Sequence, residues 1–217
     1  SALAKRAEQA NTDFVAVDPG GRPPRANLWS LTIPVLCIAD ALGVASFPLA
    51  SLEVIADALD AEALVSGPHA DFDQNPAKTL AYSLAGKLPV VWGSTPLGGV
   101  AAYRFAAQCA ENADYPCLHG ELPEPNHNQV VMFDGVLGAQ RSNDADVFSD
   151  RLSAPAGDLA LSLFLLRDMD EYDKNHRRAQ ICVELATQRG IAVQEIRTEA
   201  DHPLARFAAM VARIDFA

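Results

Sequence analysis

The run Lys87-Leu-Pro-Val-Val-Trp-Gly-Ser-Thr-Pro-Leu-Gly-Gly99 decides the fold. Its first half holds a short apolar stretch, Pro89 to Trp92, of the kind buried on both faces of a parallel sheet. Its second half is a glycine-rich turn, after which Pro96 to Ala110 reads as a helix. Strand, tight turn and helix in that order open a βα unit.

The alternation continues in both directions. Upstream, Asn75-Pro76 starts a helix that runs to about Ala85. Downstream, Pro116 to His119 reads as a strand, and Pro125 to Val131 as helical or irregular. Asp158 to Leu166 is predicted as a buried strand, Lys174 to Arg189 as a helix closed by Gly190, Ile191 to Ile196 as a strand, and Pro203 to Arg213 as a last helix. Four or five strands separated by helices predict an α/β fold, a three-layer sandwich in which a mostly parallel sheet carries helices on both faces. Ahead of this, Ser1 to Ala10 reads as the closing turns of a helix and Phe14 to Val17 as a short strand. Asp18 to Arg25 is a Pro/Gly linker, Ala26 to Leu42 and Leu49 to Leu64 are helical, and Ser66 to Asn75 is rich in turn residues.

Composition narrows the function. The 217 residues carry 17 basic and 28 acidic side chains, a formal charge of −11, which argues against nucleic acid or an anionic membrane as a partner. No window approaches the roughly 18 apolar residues of a membrane span. The same charge sets a condition on any anionic substrate, which needs a local donor-rich patch to overcome the global field. Cys37, Cys109, Cys117 and Cys182 form no C-x-x-C pair, and no secretory apolar region opens the chain, so a reducing cytoplasm is expected. His69, His119, His127, His176 and His202 show no i, i+4 pairing, and neither a metal nor another cofactor is expected.

Two clusters are able to carry chemistry. In Gly93 to Gly99, backbone N–H groups and the start of a helix are able to receive an anion, with Ser94 and Thr95 as hydroxyl donors; equally, Thr95 reads as an N-cap with Pro96 at the first helical position. The second cluster is Glu111-Asn112 followed by Gly120-Glu-Leu-Pro-Glu-Pro-Asn-His-Asn128. A carboxylate at a helix C-terminus faces the negative end of the dipole, a local conflict of the kind that marks function, although a solvated glutamate is the plain alternative. His127, between Asn126 and Asn128 in a proline-containing turn, is suited to acid/base work near neutral pH or is a surface histidine.

Lys87 to Gly93, Tyr103-Arg-Phe, Glu111-Asn-Ala-Asp and Glu121-Leu-Pro-Glu-Pro-Asn-His-Asn128 together resemble the C-terminal sugar-isomerase domain of the bifunctional phosphoglucose/phosphomannose isomerase family. Leu166-Arg-Asp168, Arg177-Arg178, Pro203-Leu-Ala-Arg206 and Ile214-Asp-Phe216 look like its closing elements. The resemblance spans roughly Asn75 to Ala217 and extends more weakly to Pro24-Arg25-Ala26. It implies residues 1–74 as a remnant of a first domain with linker and helices, and residues 75–217 as the sugar-isomerase domain. It also implies aldose–ketose isomerisation of hexose 6-phosphates through a cis-enediolate, in a homodimer acting in carbohydrate metabolism.

Glu111 then matches the family's base and His127 the histidine that assists ring opening, supplied by the neighbouring subunit. Arg25 matches an arginine that stabilises the enediolate charge, and Ser94, Thr95, Asn112 and Asn128 are the expected substrate contacts. Asp114 stands where a lysine is common and Gln129 where a glutamate often follows the His-Asn pair. The family's front domain, which holds the phosphate, and its last site-bearing segment have no counterpart in these 217 residues. The chain is therefore expected to be an incomplete part of the enzyme, with a non-catalytic phosphosugar-binding or regulatory domain of the same fold as the second expectation.

Overall fold

The computed structural model describes residues 2–135, 137–138 and 160–217. The chain divides into two compact units, Ser1–Glu53 and Val54–Ala217.

The first unit begins with α1 (Ala2–Ala10) and continues through the Pro/Gly segment to a 3-10 turn at Pro24–Ala26 and α2 (Leu28–Ala41). Asn27 closes the linker onto the helix by donating from its side chain to the Arg22 and Pro23 carbonyls at 3.1 and 2.9 Å. The strand expected at Phe14 to Val17 is absent: these residues lie outside regular structure, with Phe14 and Val15 about half exposed. An extended segment with no neighbour has nowhere to place its backbone hydrogen bonds except water. α3 (Leu49–Ser66) starts in this unit and runs into the second.

The second unit is the predicted α/β sandwich. After α3 come α4 (Pro76–Leu84), β1 (Lys87–Gly93), α5 (Pro96–Asn112), β2 (Leu118–Glu121), α6 (Pro125–Asn128), a 3-10 turn at Val130–Asp134, β3 (Ala160–Arg167), α7 (Asp173–Gln188), β4 (Ala192–Arg197) and α8 (Pro203–Phe216). The four described strands are all parallel, in the order β2-β1-β3-β4. Asp158 and Leu159, predicted as the start of β3, lie outside the described residues. β2 begins two residues later than expected, since Pro116 has no N–H to give a ladder and pairing starts at Val90 with Leu118.

Strand alternation sorts the core into two layers. Val90, Trp92, Leu161, Leu163 and Leu165 point to one face and pack with Ala179, Cys182 and Ala186 of α7 and with Phe133, whose ring stacks on Trp92 at 5.7 Å. Val91, Phe164 and Leu166 point to the other, where α5 packs on β1 and against α8; Phe105 of α5 meets Phe164 at 5.9 Å. β1 and β3 are therefore central and dry on both sides, whereas β2 and β4 are half-exposed edges.

Gly93 marks the closest approach. A Cβ there would lie 2.0 Å from the Gly98 carbonyl carbon and 2.2 Å from the Gly99 nitrogen, so only glycine lets the first turn of α5 fold back onto the end of β1.

At the end of β3 the alternation turns Arg167 toward α7, with its side chain 1% exposed. Its guanidinium holds both oxygens of Glu171 at 2.5 and 2.6 Å and also pairs with Glu195 on β4. Burial opposes the charge on Glu171, but the hydrogen bonds and charge of Arg167 and the Asp168 backbone N–H outweigh it and hold the carboxyl at about 2, below its ordinary 4.5. A carboxyl depressed on folding contributes stability above its unfolded value and loses it as pH falls toward the folded one.

Two outcomes follow. Leu163→Ala, in the dry centre of the sheet, lowers the unfolding free energy by about 2–5 kcal/mol in a urea titration. Glu171→Gln is less stable than the natural chain by up to about 3 kcal/mol near neutral pH, and the gap closes as pH drops from about 5 toward about 2. A gap independent of pH would show that Glu171 is not the titrating group.

Candidate functional site

Two ends of the second unit hold the candidate residues, and α5 separates them. Thr95 caps its N-terminus and Glu111 sits in its last turn, so at 1.5 Å per residue they are about 24 Å apart. Ser94 and Thr95 therefore share no pocket with Glu111 and Asn112 inside one chain.

At the N-terminal end, the strand order reverses between β1 and β3, the place where open α/β sheets form a crevice. A cleft of about 290 Å³ lies here, lined by Ser94, Thr95, Asp168, Asp170, Tyr172 and Asn175 among others. The Ser94 and Thr95 hydroxyls are engaged within the chain. Ser94 Oγ donates to the Leu166 carbonyl at 3.0 Å, and Thr95 Oγ1 accepts from the Gly98 N–H at 3.1 Å, the geometry of the N-cap reading. The Ser94 and Gly99 amides are also taken, by the Leu166 and Thr95 carbonyls. Asp168 lies 3.5 Å from Thr95 Oγ1 and pairs at 2.7 Å with Arg206, a buried side chain that also holds Asp170. Arg206, which reaches the carboxylates of this crevice, thus already carries two of them, and the helix N-terminus faces an aspartate.

The opposite end is organised around the last turns of α5. Arg104 grips Asp215 of α8 through two bonds of 2.8 and 2.6 Å, Gln108 donates to the same carboxylate at 2.9 Å, and Asn112 donates to Gln108 at 2.6 Å. This chain of bonds anchors Asn112 while Glu111 beside it is exposed. A cavity of about 180 Å³ adjoins them, lined by Phe105, Gln108, Cys109, Asn112, Ile214 and Asp215 among others.

His127 occupies α6, which packs on the sheet face opposite α5. Pro125 lies against Gly120, where a Cβ would come within 2.6 Å of its ring. Gln129 accepts from the Trp92 indole N–H at 2.7 Å and donates to the His119 carbonyl at 3.0 Å. A glutamate at this position, ionised, has no proton for that carbonyl, so the amide suits the surroundings of this chain. Asn128 donates to Glu124 at 2.8 Å, and His127 itself is exposed. Glu111 and His127 thus stand on elements of opposite sheet faces and do not converge within one chain. Arg25 belongs to the other compact unit, in its 3-10 turn.

A larger cleft, about 770 Å³, runs along α3 and α8 and holds the buried Glu62–Arg213 pair at 2.8 Å; no candidate residue lines it. Sequence reasoning missed the Asp168–Arg206 and Asp215–Arg104–Gln108–Asn112 groups because their partners lie far apart in the chain. The only signal was that Asp168, Arg206 and Asp215 fall in stretches already matched to the family.

Residues 73–217 match the model of the bacterial phospho-glucose isomerase C-terminal SIS domain. A bifunctional phosphoglucose/phosphomannose isomerase from Caldicellulosiruptor bescii is 29% identical over 136 residues, covering 59% of this chain and 38% of that protein. A D-glucosamine-6-phosphate 4-epimerase from Sulfolobus acidocaldarius is 36% identical over 61 residues, 28% of this chain and 19% of that one. The chain thus spans well under half the length of these curated relatives. Among solved structures, a glucose-6-phosphate isomerase like protein from Thermus thermophilus superposes with a TM-score of 0.50 at 23% identity, over 77% of this chain and 51% of that one. A hypothetical protein from the same organism superposes with a TM-score of 0.52 at 13% identity, over 78% and 46%. At these identities the superpositions speak for the fold. With its family model covering the whole of the parallel sheet, the chain belongs to the bacterial phospho-glucose isomerase C-terminal SIS domain family.

Proposed function

We propose that this chain carries the base-bearing part of an aldose–ketose isomerase site for hexose 6-phosphates, interconverting glucose 6-phosphate and fructose 6-phosphate, with mannose 6-phosphate as a further substrate. The observation that carries the reading is the exposed Glu111 carboxylate on the last turn of α5, next to an Asn112 anchored through Gln108 to Asp215. A base must be open to substrate, and a fixed neighbour limits its wander.

In the proposed reaction Glu111 removes the proton from C2 of the open-chain aldose and returns it to C1, leaving the ketone at C2. His127, presented by its own anchored turn, helps open the sugar ring. Because Glu111 and His127 occupy opposite faces of the sheet, His127 is assigned to the neighbouring subunit of a homodimer, where it meets the Glu111 of its partner. Arg25 is assigned the developing enediolate charge, a task worth a few kcal/mol of barrier in a water-poor site. Asn112 and Asn128 are proposed to hold sugar hydroxyls. Ser94 and Thr95, at the far end of α5, are assigned to the fold rather than to this pocket, and the phosphate handle is left to residues outside the second unit.

A second reading has an observation of its own: Arg104, midway along α5, is already paired with Asp215, so its charge is answered before any anionic intermediate arrives. On that reading the domain binds phosphosugars without turning them over. A third chemistry enters through the relative named as a 4-epimerase, whose reaction is at a different carbon.

Proton NMR of fructose 6-phosphate in deuterated water separates the three. Isomerisation places deuterium at C2 of the aldose product, and Glu111→Gln lowers kcat by about 100-fold or more while substrate affinity changes little. Binding without any exchange favours the regulatory domain. Inversion at C4 with no label at C2 favours epimerisation.

A further inference from the structure

His127 lies two residues after Pro125 and two before Gln129, and those two hold its turn to the sheet. Residues four apart share one face of a helix, and the residue midway between them belongs to the other. Pro125 is buried over Gly120 of β2, where a Cβ would come 2.6 Å from its ring and 3.2 Å from the Gln129 side-chain nitrogen. Gln129 reaches past this glycine to two strands at once. Its Oε1 accepts from the Trp92 indole N–H of β1 at 2.7 Å, and its Nε2 donates to the His119 carbonyl of β2 at 3.0 Å. The indole nitrogen only donates and the carbonyl only accepts, so a single orientation of the Gln129 amide serves both. Trp92 is fully buried, and no solvent stands ready to replace its bond once lost. The same turn is tied to α7 by Asn126, whose Nδ2 donates to the Cys182 sulfur at 3.0 Å, while His127 is exposed.

We propose that Gln129 is a positioning residue for His127: by locking α6 onto Trp92 and His119 it sets the direction from which the imidazole meets the sugar ring. The effect on turnover rests on the reading of His127 as the group that opens the ring in the neighbouring subunit's site; the anchoring of the turn does not. In ring opening the bond between C1 and the ring oxygen breaks, the ring oxygen gains a proton, and the anomeric hydroxyl gives one up as the C1 carbonyl forms. His127 serves this exchange only while a ring nitrogen stays within hydrogen-bond reach of one of the two oxygens. A helix of four residues is too short to hold itself, so its direction is fixed by what its side chains grip. Gln129 lies on the sheet side of the turn and acts through His127, and a displacement of about 1 Å at such a group costs up to about 100-fold in rate.

The test compares Gln129→Met, which keeps the length of the side chain and loses both bonds, with His127→Ala and with the double variant, on glucose 6-phosphate. Expected are a kcat lowered about 10- to 100-fold in Gln129→Met with KM little changed, and about 100-fold in His127→Ala. The double variant loses no more than His127→Ala, since a residue that acts through another has nothing to act on once that one is gone. Gln129→Glu keeps the acceptor for Trp92 and, ionised, loses the donor for His119; its kcat falls between those of the natural chain and Gln129→Met. In proton NMR the Trp92 indole N–H resonance of Gln129→Met moves upfield, and the His127 Cε1–H resonance shifts toward its value in an unfolded peptide. Losses that multiply in the double variant make Gln129 a merely structural residue and overturn the proposal, as does full turnover in Gln129→Met. Full turnover in His127→Ala overturns the ring-opening reading instead, while Glu111 is judged separately by exchange at C2. If the natural chain turns nothing over, the anchoring is judged by NMR alone, and a His127 resonance unchanged in Gln129→Met overturns it.

Discussion

The contact on which the rest of the second unit depends is the close approach of α5 to the end of β1. With no side chain at Gly93, Gly98 or Gly99, the helix begins directly against the strand, and Thr95 caps it without leaving the sheet. That start sets the axis of a 17-residue helix lying on the face formed by Val91, Phe164 and Leu166. A rigid helix of that length carries its last turn to the other end of the sheet, and so the position of Glu111 is a consequence of three glycines about 18 Å or more away. Larger residues at those glycines would shift the cap, the helix and the carboxylate together.

The charges of this acidic chain follow a similar logic. The buried arginines are each answered by carboxylates, Arg167 by Glu171 and Glu195 and Arg206 by Asp168 and Asp170, and the half-buried Arg213 by the buried Glu62. Breaking such a pair strands a buried charge, which is costly even where the intact pair adds little net stability. Two of these groups crowd the switch-point crevice, where many α/β folds bind their ligands. Here the Ser94 and Thr95 hydroxyls and the Asp168 and Asp170 carboxylates of that crevice are engaged in internal bonds, and the exposed Glu111 lies at the other end of α5. The family's domain thereby keeps a frame in which a familiar ligand position serves structure and a helix C-terminus presents the candidate base.

Much of the fold was legible because its signals are local. The apolar run of β1, proline at the first helical positions of α4, α5 and α8, and Gly190 after α7 mark element types and boundaries within a few residues of themselves. Where the reading slipped, a distant partner decided: Phe14 to Val17 has no strand to pair with, and β2 starts where Val90 offers a register. The candidate residues Glu111, His127 and Arg25 were legible through resemblance and local conflict. Their separation onto opposite faces and separate units was not, because periodicity says which residues share a face of one element and nothing about which elements share a cleft.

The amino-acid sequence by itself determined the α/β class, the order of helices and strands, the cap at Thr95 and the membership of a sugar-isomerase lineage, since each rests on residues close together in the chain or on a motif string. Only the tertiary structure decided that Ser94 and Thr95 are spent on Leu166 and Gly98, that Asp215 steadies Asn112 through Gln108, and that Gln129 bridges Trp92 and His119. The physical reason is that hydrogen bonds and buried charges are satisfied by whatever the packed sheet brings within reach, and that proximity is created only when the chain has folded.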